Sequence, residues 1–257
     1  MKQKIFLTLL LMISWFMSAG SQYQEDFTRA EDAYKQQDYH ESARVYQGLL
    51  DKGYRSFELF YNLGCAYFKM GEPGMSRAFF IIADMYKPRN HDNRHNLEIV
   101  EASLKDRFEG GGGFFLSDLY AGLVRSFTYR TWNILFYSLI CMFLAFFSAY
   151  FLFLNLRLRA VGIAAVILLI TLILVFPFYR SSSRFYHEPG LGVIINESTP
   201  VRNGPDSSMV SLTSLNDGTL VRISEKRGDF YRVILPNGIV GWIEGDRMFL
   251  ITAEYFK

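Results

Sequence analysis

Residues 132–179 read WNILFYSLICMFLAFFSAYFLFL, NLRLR and AVGIAAVILLITLILVFPFY, and this stretch decides the architecture of the chain. Its two apolar runs, Trp132–Leu154 and Ala160–Tyr179, contain no Asp, Glu, Lys or Arg. Each run is long enough to cross a hydrocarbon core of about 30 Å. The residues between them, 155–159, include two arginines and suit a short cytoplasmic turn. We therefore expect a two-helix transmembrane hairpin, with a buried helical pair of a globular domain as the alternative.

The N-terminus predicts export. Lys2 and Lys4 precede an apolar stretch over residues 5–17, and small residues follow it. This order is typical of a secretory signal peptide, and the apolar stretch is shorter than the roughly 20 residues that a span needs. We therefore expect a signal peptide over residues 1–20, cleaved or retained as an anchor. In both cases the two soluble parts of the chain face the same extracytoplasmic compartment.

The charge of the chain is unevenly distributed. The net charge is +2, but residues 21–109 carry 12 basic against 15 acidic side chains, and residues 185–257 carry 7 against 9. Residues 110–184 carry six arginines and a single aspartate, so the basic side chains flank the membrane, where arginine can reach lipid headgroups. The acidic balance of both soluble parts argues against binding of nucleic acid.

Residues 21–109 contain an internal repeat. Similar residue types recur at an offset of 34 in Ala30 and Gly64, Tyr34 and Phe68, Ser42 and Ser76, Tyr46 and Phe80, and Asn62-Leu63 and Asn96-Leu97. This is the length of a tetratricopeptide repeat, in which small residues let two helices approach and aromatic rings fill the space between them. We expect two repeats and a capping helix from about Asp92 to Asp106. Because about three repeats are usually needed for stability, a partner or the membrane could help to hold the array.

Repeats of this kind present the first helix of each pair to a concave groove. By the repeat pattern, the candidate peptide-binding residues are Glu31, Tyr34, Glu58, Tyr61, Asn62, Phe68 and Lys69. The Asn62 amide could bind the backbone of a peptide or form a hydrogen bond within its own array.

Between the repeats and the first span, residues 110–131 begin with four glycines, which predict a flexible linker. The apolar and charged residues that follow are spaced as in an amphipathic helix lying at the lipid interface.

Residues 185–257 consist of short β-rich runs separated by turn signals. The predicted strands are Gly192–Ile195, Thr199–Arg202, Thr219–Ser224, Tyr231–Leu235, Ile239–Ile243 and Phe249–Ile251. Asn237-Gly238 predicts a hairpin turn between two of them. Five or six such strands predict an all-β small barrel.

This region resembles a bacterial SH3-like domain. The residues that carry the resemblance are Val201-Arg202 with Pro205, Gly218–Val221, Phe230–Val233, and Asn237-Gly238 with Gly241–Ile243. Tyr231 and Trp242 are then candidates for an aromatic ligand surface, with Trp242 as a plug of the barrel core as the alternative.

The sequence contains no recognisable catalytic constellation. Cys65 lies among predicted helical core positions and Cys141 lies inside an apolar run, so neither a disulfide nor a zinc site is expected. His91 and His95 are spaced as neighbours on one helix face, which fits a metal pair or, as we expect, a solvated face. We therefore expect an interaction protein that is not an enzyme and uses no cofactor or metal.

The order of these segments resembles the BatE family of Bacteroides aerotolerance proteins over nearly the whole chain. The resemblance implies a bacterial inner-membrane protein, with both soluble domains in the periplasm, that works in aerotolerance or envelope stress. It implies partners with von Willebrand factor A domains and a MoxR-type ATPase system. We expect a membrane-anchored extracytoplasmic adaptor that binds other membrane or extracytoplasmic proteins. The alternative is a peptidoglycan-binding or wall-sensing module that uses the SH3-like domain.

Overall fold

The computed structural model describes residues 23–106, 123–124, 127–152, 159–187, 190–252 and 255. Within these residues the chain forms a helical domain, two long apolar helices and a C-terminal antiparallel sheet. The predicted signal peptide at 1–20, most of the predicted linker and interfacial helix at 110–131, and residues 155–158 of the predicted turn lie outside the described residues.

The helical domain is a series of short helices joined by tight turns. They are α1 (residues 23–35), α2 (Tyr39–Asp51), α3 (Phe57–Met70), α4 (Pro73–Tyr86) and α5 (His91–Ser103). α3 starts after Ser56, whose side chain accepts a hydrogen bond from the Leu59 N–H, and it ends at Gly71 with a φ of 79°. Pro73 then starts α4. The turn between the two helices is so short that they must run antiparallel.

The close helix approach expected from the small residues is present between α3 and α4. A Cβ atom on Gly64 would lie 2.6 Å from the Phe80 ring, so only glycine fits there. The Ser76 hydroxyl donates to the Gly64 carbonyl at 2.8 Å. Phe80 also contacts Val100 of α5, and the Asn93 amide donates to the Phe80 carbonyl at 3.0 Å. α5 therefore covers the side of α4 that a further helix pair would otherwise cover.

Two helices are long and apolar enough to cross a membrane. They are α6 (Tyr129–Leu152) and α7 (Arg159–His187), with the apolar stretches Arg130–Ala149 and Gly162–Ser181. Trp132, near the start of α6, stacks on Phe178 near the end of α7, with 5.8 Å between ring centroids. The two helices therefore pack side by side and antiparallel.

The second apolar helix is longer than the sequence suggested. We placed its end at Tyr179, where the apolar run stops, but α7 continues to His187. The end of an apolar run marks the edge of the hydrocarbon core, whereas a helix can continue beyond that edge into water. Residues 185–187, which we assigned to the SH3-like domain, are therefore helical.

The C-terminal sheet has the strand order β3-β2-β6-β5-β4-β1-β7, with antiparallel pairing throughout. The strands are β1 (Leu191–Ile194), β2 (Thr199–Arg202), β3 (Ser211–Leu215), β4 (Leu220–Arg227), β5 (Phe230–Ile234), β6 (Val240–Glu244) and β7 (Met248–Ile251). Its inner core consists of Ile194, Val201, Leu215, Val221, Val233, Leu235, Ile243 and Met248. Asn237-Gly238 forms the β5–β6 turn as predicted, with a φ of 86° at Gly238.

The edge strand β3 was missed by the sequence analysis. Its sequence is SLTSL, and only Leu215 is buried. An edge strand with one buried side chain has little hydrophobic alternation, so its pattern resembles that of a loop.

The outer side of β1 and β7 packs against α4, so the helical domain and the sheet share one apolar core. Val193 of β1 and Ile251 of β7 are buried in the same cluster as Phe79 of α4. The Phe249 ring lies 5.2 Å from the Phe79 ring. Because burial of apolar surface contributes about 25 cal/mol per Å², this contact stabilises both parts.

The turn Asn216–Thr219, just before β4, joins the sheet to the start of α4. The side chain of Glu72 does not cap this helix. The Asp217 carboxylate accepts a hydrogen bond from the Gly74 N–H at 3.2 Å and so takes the place of a capping side chain. Arg77 donates to the Gly218 carbonyl at 2.7 Å. A residue of the sheet domain thus completes a helix of the other domain.

The same turn also binds the segment after α5. The Asp106 carboxylate accepts hydrogen bonds from the Asn216 N–H at 2.7 Å and from the Thr219 hydroxyl at 2.9 Å. Leu104 is buried, and a Cβ atom on Gly218 would lie 2.2 Å from its Cδ2. We expected the capping helix to continue to Asp106. It ends at Ser103, and the residues that follow contact the sheet.

Candidate functional site

The predicted groove residues belong to two helices, α1 and α3. Burial raises the pKa of Tyr34 on α1 to about 12, with smaller contributions from Cys65 and Tyr61 of α3. Tyr61 contacts the buried cluster of α5 and Phe80, and its ring centroid lies 5.8 Å from that of Phe80. Tyr34 and Tyr61 both pack against the buried core of the helical domain, and their role in ligand binding stays a prediction.

Asn62 forms a hydrogen bond within the helical domain. Its amide donates to the Tyr46 hydroxyl at 2.9 Å, and Tyr46 is only 1% exposed. This contact fits the structural role that we left open for Asn62, because the Tyr46 hydroxyl would otherwise be buried without this partner.

Asn96 is a groove residue that the sequence analysis did not identify as a site. Its amide donates to the Tyr61 hydroxyl at 3.0 Å and lies 3.7 Å from the Cys65 sulfur. Burial raises the pKa of Cys65 to about 11, so this thiol stays protonated near neutral pH. The signal was present, because Asn96 is the counterpart of Asn62 at the offset of 34.

The remaining candidates differ in how accessible they are. Glu58 pairs with Lys87 at 2.6 Å, and this hydrogen bond holds the pKa of Glu58 below its ordinary value. Glu31 is half-buried. Phe68 and Lys69 are exposed at the C-terminal part of α3, with 37% of Phe68 accessible. Glu58, Phe68 and Lys69 are therefore the exposed candidates, and of these Glu58 is held in its pair with Lys87.

Tyr231 and Trp242 do not form one surface. In the β5–β6 ladder, Tyr231 lies opposite Ile243 and Arg232 lies opposite Trp242. Side chains of directly opposed residues share a face of the sheet, and neighbours along a strand alternate. Tyr231 therefore lies on the side of the buried Ile243, and Trp242 lies on the other side. Trp242 is buried, but it lies on the opposite side of the sheet from Tyr231 and the Ile243 cluster, so the two aromatic residues do not share a surface.

Trp242 is covered from outside by arginine. Only 8% of the residue is exposed, and the Arg227 guanidinium lies 5.4 Å from the centre of its ring. Long arginine side chains can cover an apolar ring with their methylene groups while the charged end stays in water. The indole therefore lies on the outer face of the sheet, beneath the Arg227 side chain.

Tyr231 borders an open pocket at one end of the sheet. The other residues that line it are Ser207, Lys226, Asp229, Phe230, Glu244, Gly245 and Asp246. The Lys226 ammonium lies 5.2 Å from the centre of the Tyr231 ring. The pocket combines two aromatic residues, Phe230 and Tyr231, with charges of both signs.

The described residues contain no group of three or more His, Cys, Asp or Glu side chains that could hold a metal ion. His91 is almost fully exposed, with Asp92 at 3.8 Å.

Comparison with protein families finds a bacterial SH3 domain at residues 197–248. This match supports the SH3-like part of the sequence-based resemblance. It covers β2 to β6 and stops at the first residue of β7, so β1 and nearly all of β7, which pack against α4, lie outside it. No curated protein matches the chain.

Proposed function

We propose that the chain is a membrane-anchored adaptor that binds a segment of another protein in the concave groove of its helical domain. The observation that carries this proposal is the contrast between the two sides of that domain. α4 is covered by the chain's own sheet, whereas α3 presents Phe68 and Lys69 to solvent. The groove is then available to a partner while the docked sheet holds the short array together.

The proposed topology places both soluble domains on the same side of the membrane. α6 and α7 are antiparallel, so a hairpin that crosses twice returns the chain to its starting side. The contacts of Gly74 with Asp217 and of Asp106 with Asn216 join residues on either side of the hairpin, which an odd number of crossings would not permit. Arg89 of the helical domain also lies 5.7 Å from the Phe127 ring, two residues before α6.

The compartment and partners are part of the same proposal. The signal-like N-terminus and the resemblance to the BatE family support a bacterial inner membrane with both domains in the periplasm. The resemblance also supports partners with von Willebrand factor A domains and a MoxR-type ATPase system, in aerotolerance or envelope stress. We propose an interaction role rather than catalysis.

Co-purification from native membranes in mild detergent tests the groove. The structure favours Phe68→Ala with Lys69→Ala over substitutions of Tyr61, because Tyr61 packs on Phe80 and its loss would disturb the fold. We expect the double variant to lose the bound protein and to keep its thermal unfolding temperature. The control is Asp51→Ala with Lys52→Ala, two exposed residues at the end of α2. Retention of the partner by the groove variant, or equal loss in the control, would contradict the proposal.

A second candidate function is binding of the cell wall through the SH3-like domain. The match to the bacterial SH3 domain and the open pocket beside Tyr231 favour it. The test is sedimentation of the full chain with purified sacculi, because an isolated sheet would expose Val193 and Ile251 from the shared core. This candidate predicts sedimentation that is lost on Tyr231→Ala and kept on Phe68→Ala. A full chain that stays in the supernatant would eliminate it.

A further inference from the structure

We propose that the outer face of β2, β6, β5 and β4 is a second binding surface, which fits an acidic segment of a partner protein. We call it the arginine face, and it consists of Arg202, Arg222, Arg227 and Arg232 around Trp242. This surface is distinct from the concave groove.

The strand register places these side chains together. Trp242 of β6 lies opposite Arg202 of β2 on one side and opposite Arg232 of β5 on the other. Directly opposed residues point to the same face, so the two arginines flank the indole. Arg227 covers the indole ring at 5.4 Å. Arg227 thus covers the ring, Arg202 and Arg232 occupy the neighbouring positions on either side, and the Arg202 guanidinium also donates to the Met209 carbonyl at 3.0 Å.

A fourth arginine extends the same face. Arg222 of β4 lies opposite Ile234 of β5, which is two residues beyond Arg232. Residues two apart on a strand share a face. Four of the seven basic residues of the 185–257 region therefore lie on one face, although that region has a net negative charge.

The carboxylates on this face do not balance the arginines. Glu225 lies opposite Arg232 and pairs with Arg227 at 3.0 Å. Glu244, two residues from Trp242, lies 3.7 Å from Arg247. Hydrogen bonds from Ser208 lower the pKa of Asp206, and the charge of Arg202 makes a small further contribution. The arginine face therefore carries an excess of positive charge, although the net charge of residues 185–257 is negative.

Guanidinium groups determine the chemistry of the ligand. Arginine binds carboxylates through two parallel hydrogen bonds, and such charge-assisted bonds are stronger than neutral ones. Because Trp242 is covered, a ligand first meets the guanidinium groups and not the ring. The partner expected here is an extended segment rich in Asp or Glu. The choice of a protein rests on the extracytoplasmic location proposed above.

The arginine face and the groove can be occupied together. The contacts of the sheet with α4 are made mainly by β1 and β7, and Trp242, Arg202 and Arg232 belong to other strands. An adaptor needs two such independent surfaces to hold two partners.

Binding of a fluorescein-labelled oligo-glutamate peptide to the full chain in detergent, at low salt, tests the proposal. We expect saturable binding that weakens with salt, and an oligo-glutamine peptide that does not bind. Arg202→Gln with Arg232→Gln should weaken binding roughly tenfold, because each exposed charge pair contributes a few-fold. The control, Lys35→Gln with Lys52→Gln, removes the same charge from the helical domain and should change affinity less than about twofold.

Trp242 provides a second readout. Ligand binding to Arg227 should change the indole fluorescence in the parent chain and leave it unchanged in Trp242→Phe, which should still bind the peptide. If the double variant does not fold, the single variant Arg232→Gln replaces it, because Arg232 is exposed. Its affinity for the oligo-glutamate peptide should fall by a few-fold. Equal weakening in the lysine control, equal binding of oligo-glutamine, or tighter binding of a single-stranded oligonucleotide than of oligo-glutamate would overturn the assignment. Failure of this test would leave the groove result of Phe68 and Lys69 unaffected.

Discussion

Gly74 is a residue whose missing side chain allows two domains to join. A Cβ atom at this position would lie 1.9 Å from the Asp217 carboxylate and 2.5 Å from the Ile194 carbonyl. The first neighbour can move, but the second is backbone in β1. The sequence alone gave no reason to single out Gly74, because its neighbours come from residues more than a hundred positions away.

Replacement of Gly74 by alanine should therefore weaken the domain contact. Overpacking of this kind costs about 1–3 kcal/mol, and we expect a lower temperature of thermal unfolding. Gly48 is the matched control, since it lies inside α2 with no atom within 4 Å of its would-be Cβ. Gly48→Ala should raise stability by about 0.5–1 kcal/mol through helix propensity. Equal effects of the two substitutions would contradict the tight contact at Gly74.

Asp106 and Asp217 both join the domains, but their charges act in opposite directions. At Asp106, burial raises the pKa, but the hydrogen bonds from Asn216 and Thr219 outweigh it and the pKa is lowered overall. At Asp217, burial dominates and raises the pKa. The Asp106 charge therefore stabilises the fold above its unfolded pKa of about 3.9, and this contribution is lost as the pH falls through its lower folded pKa. The Asp217 charge costs stability at neutral pH, and that cost disappears as the pH falls through its raised pKa.

These signs predict different pH profiles for two variants. Asp106→Asn should lose about 1–3 kcal/mol at neutral pH, and the loss should shrink in acid. Asp217→Asn should be at least as stable as the parent at neutral pH, because the amide oxygen can still accept the Gly74 N–H. Thermal unfolding from neutral pH to about pH 3 measures both. A larger loss of stability for Asp217→Asn than for Asp106→Asn at neutral pH would contradict the claim that the Asp217 charge is unfavourable there.

Among the secondary-structure elements, those whose own residues carry a local signal were predicted correctly. β2 was predicted with its observed ends, and the Asn237-Gly238 turn was found, because hairpin glycines and alternating strands carry their own signal. β3 was missed, and the helix of the second predicted span extends beyond Tyr179, since an edge strand with one buried residue and a helix that continues past its apolar run lack such a signal. The position of Trp242 on the outer face of the sheet was not predicted, for another reason. The arginines that cover it come from neighbouring strands, and pairing of distant strands is not visible in a single segment.

The packing of β7 on α4 should make the two elements unfold together. Phe249→Ala removes the ring that contacts Phe79, so we expect faster hydrogen exchange of the α4 amides. Phe230→Ala is the control, because this half-buried ring belongs to β5 and lines the pocket beside Tyr231. It should loosen the sheet and leave exchange in α4 much closer to that of the parent. Equal protection of α4 in all three proteins would mean that the sheet contact does not stabilise the helix.

For the whole molecule, the helical domain is supported by the chain's own C-terminal sheet. The offset of 34 predicted the helix pairs and the small-residue contact at Gly64, and left open what supports so short an array. In the structure, β1 and β7 pack against α4 and provide this support. The sequence could not reveal this, because the two domains are separated by both long apolar helices and share no local pattern.

The topology gives a whole-molecule prediction about labelling. In a chain with Cys65→Ser and Cys141→Ser, single cysteines at exposed Lys52 and Asp246 should both react with an impermeant maleimide in spheroplasts. A cysteine at Arg157, in the predicted cytoplasmic turn, should react only after the membrane is permeabilised. Labelling of Lys52 and Asp246 positions from opposite sides would rule out a hairpin with docked domains.

Photocrosslinking in intact membranes tests whether a partner occupies the groove, with a photoreactive residue at Phe68 in the proposed groove or at Phe249 in the domain contact. We expect the Phe68 position to yield an adduct with another protein. The Phe249 position should yield only a crosslink within the chain, to α4. An intermolecular adduct from Phe249 together with none from Phe68 would contradict it, because the groove would then be unoccupied and the face assigned to the chain's own sheet would be the partner site.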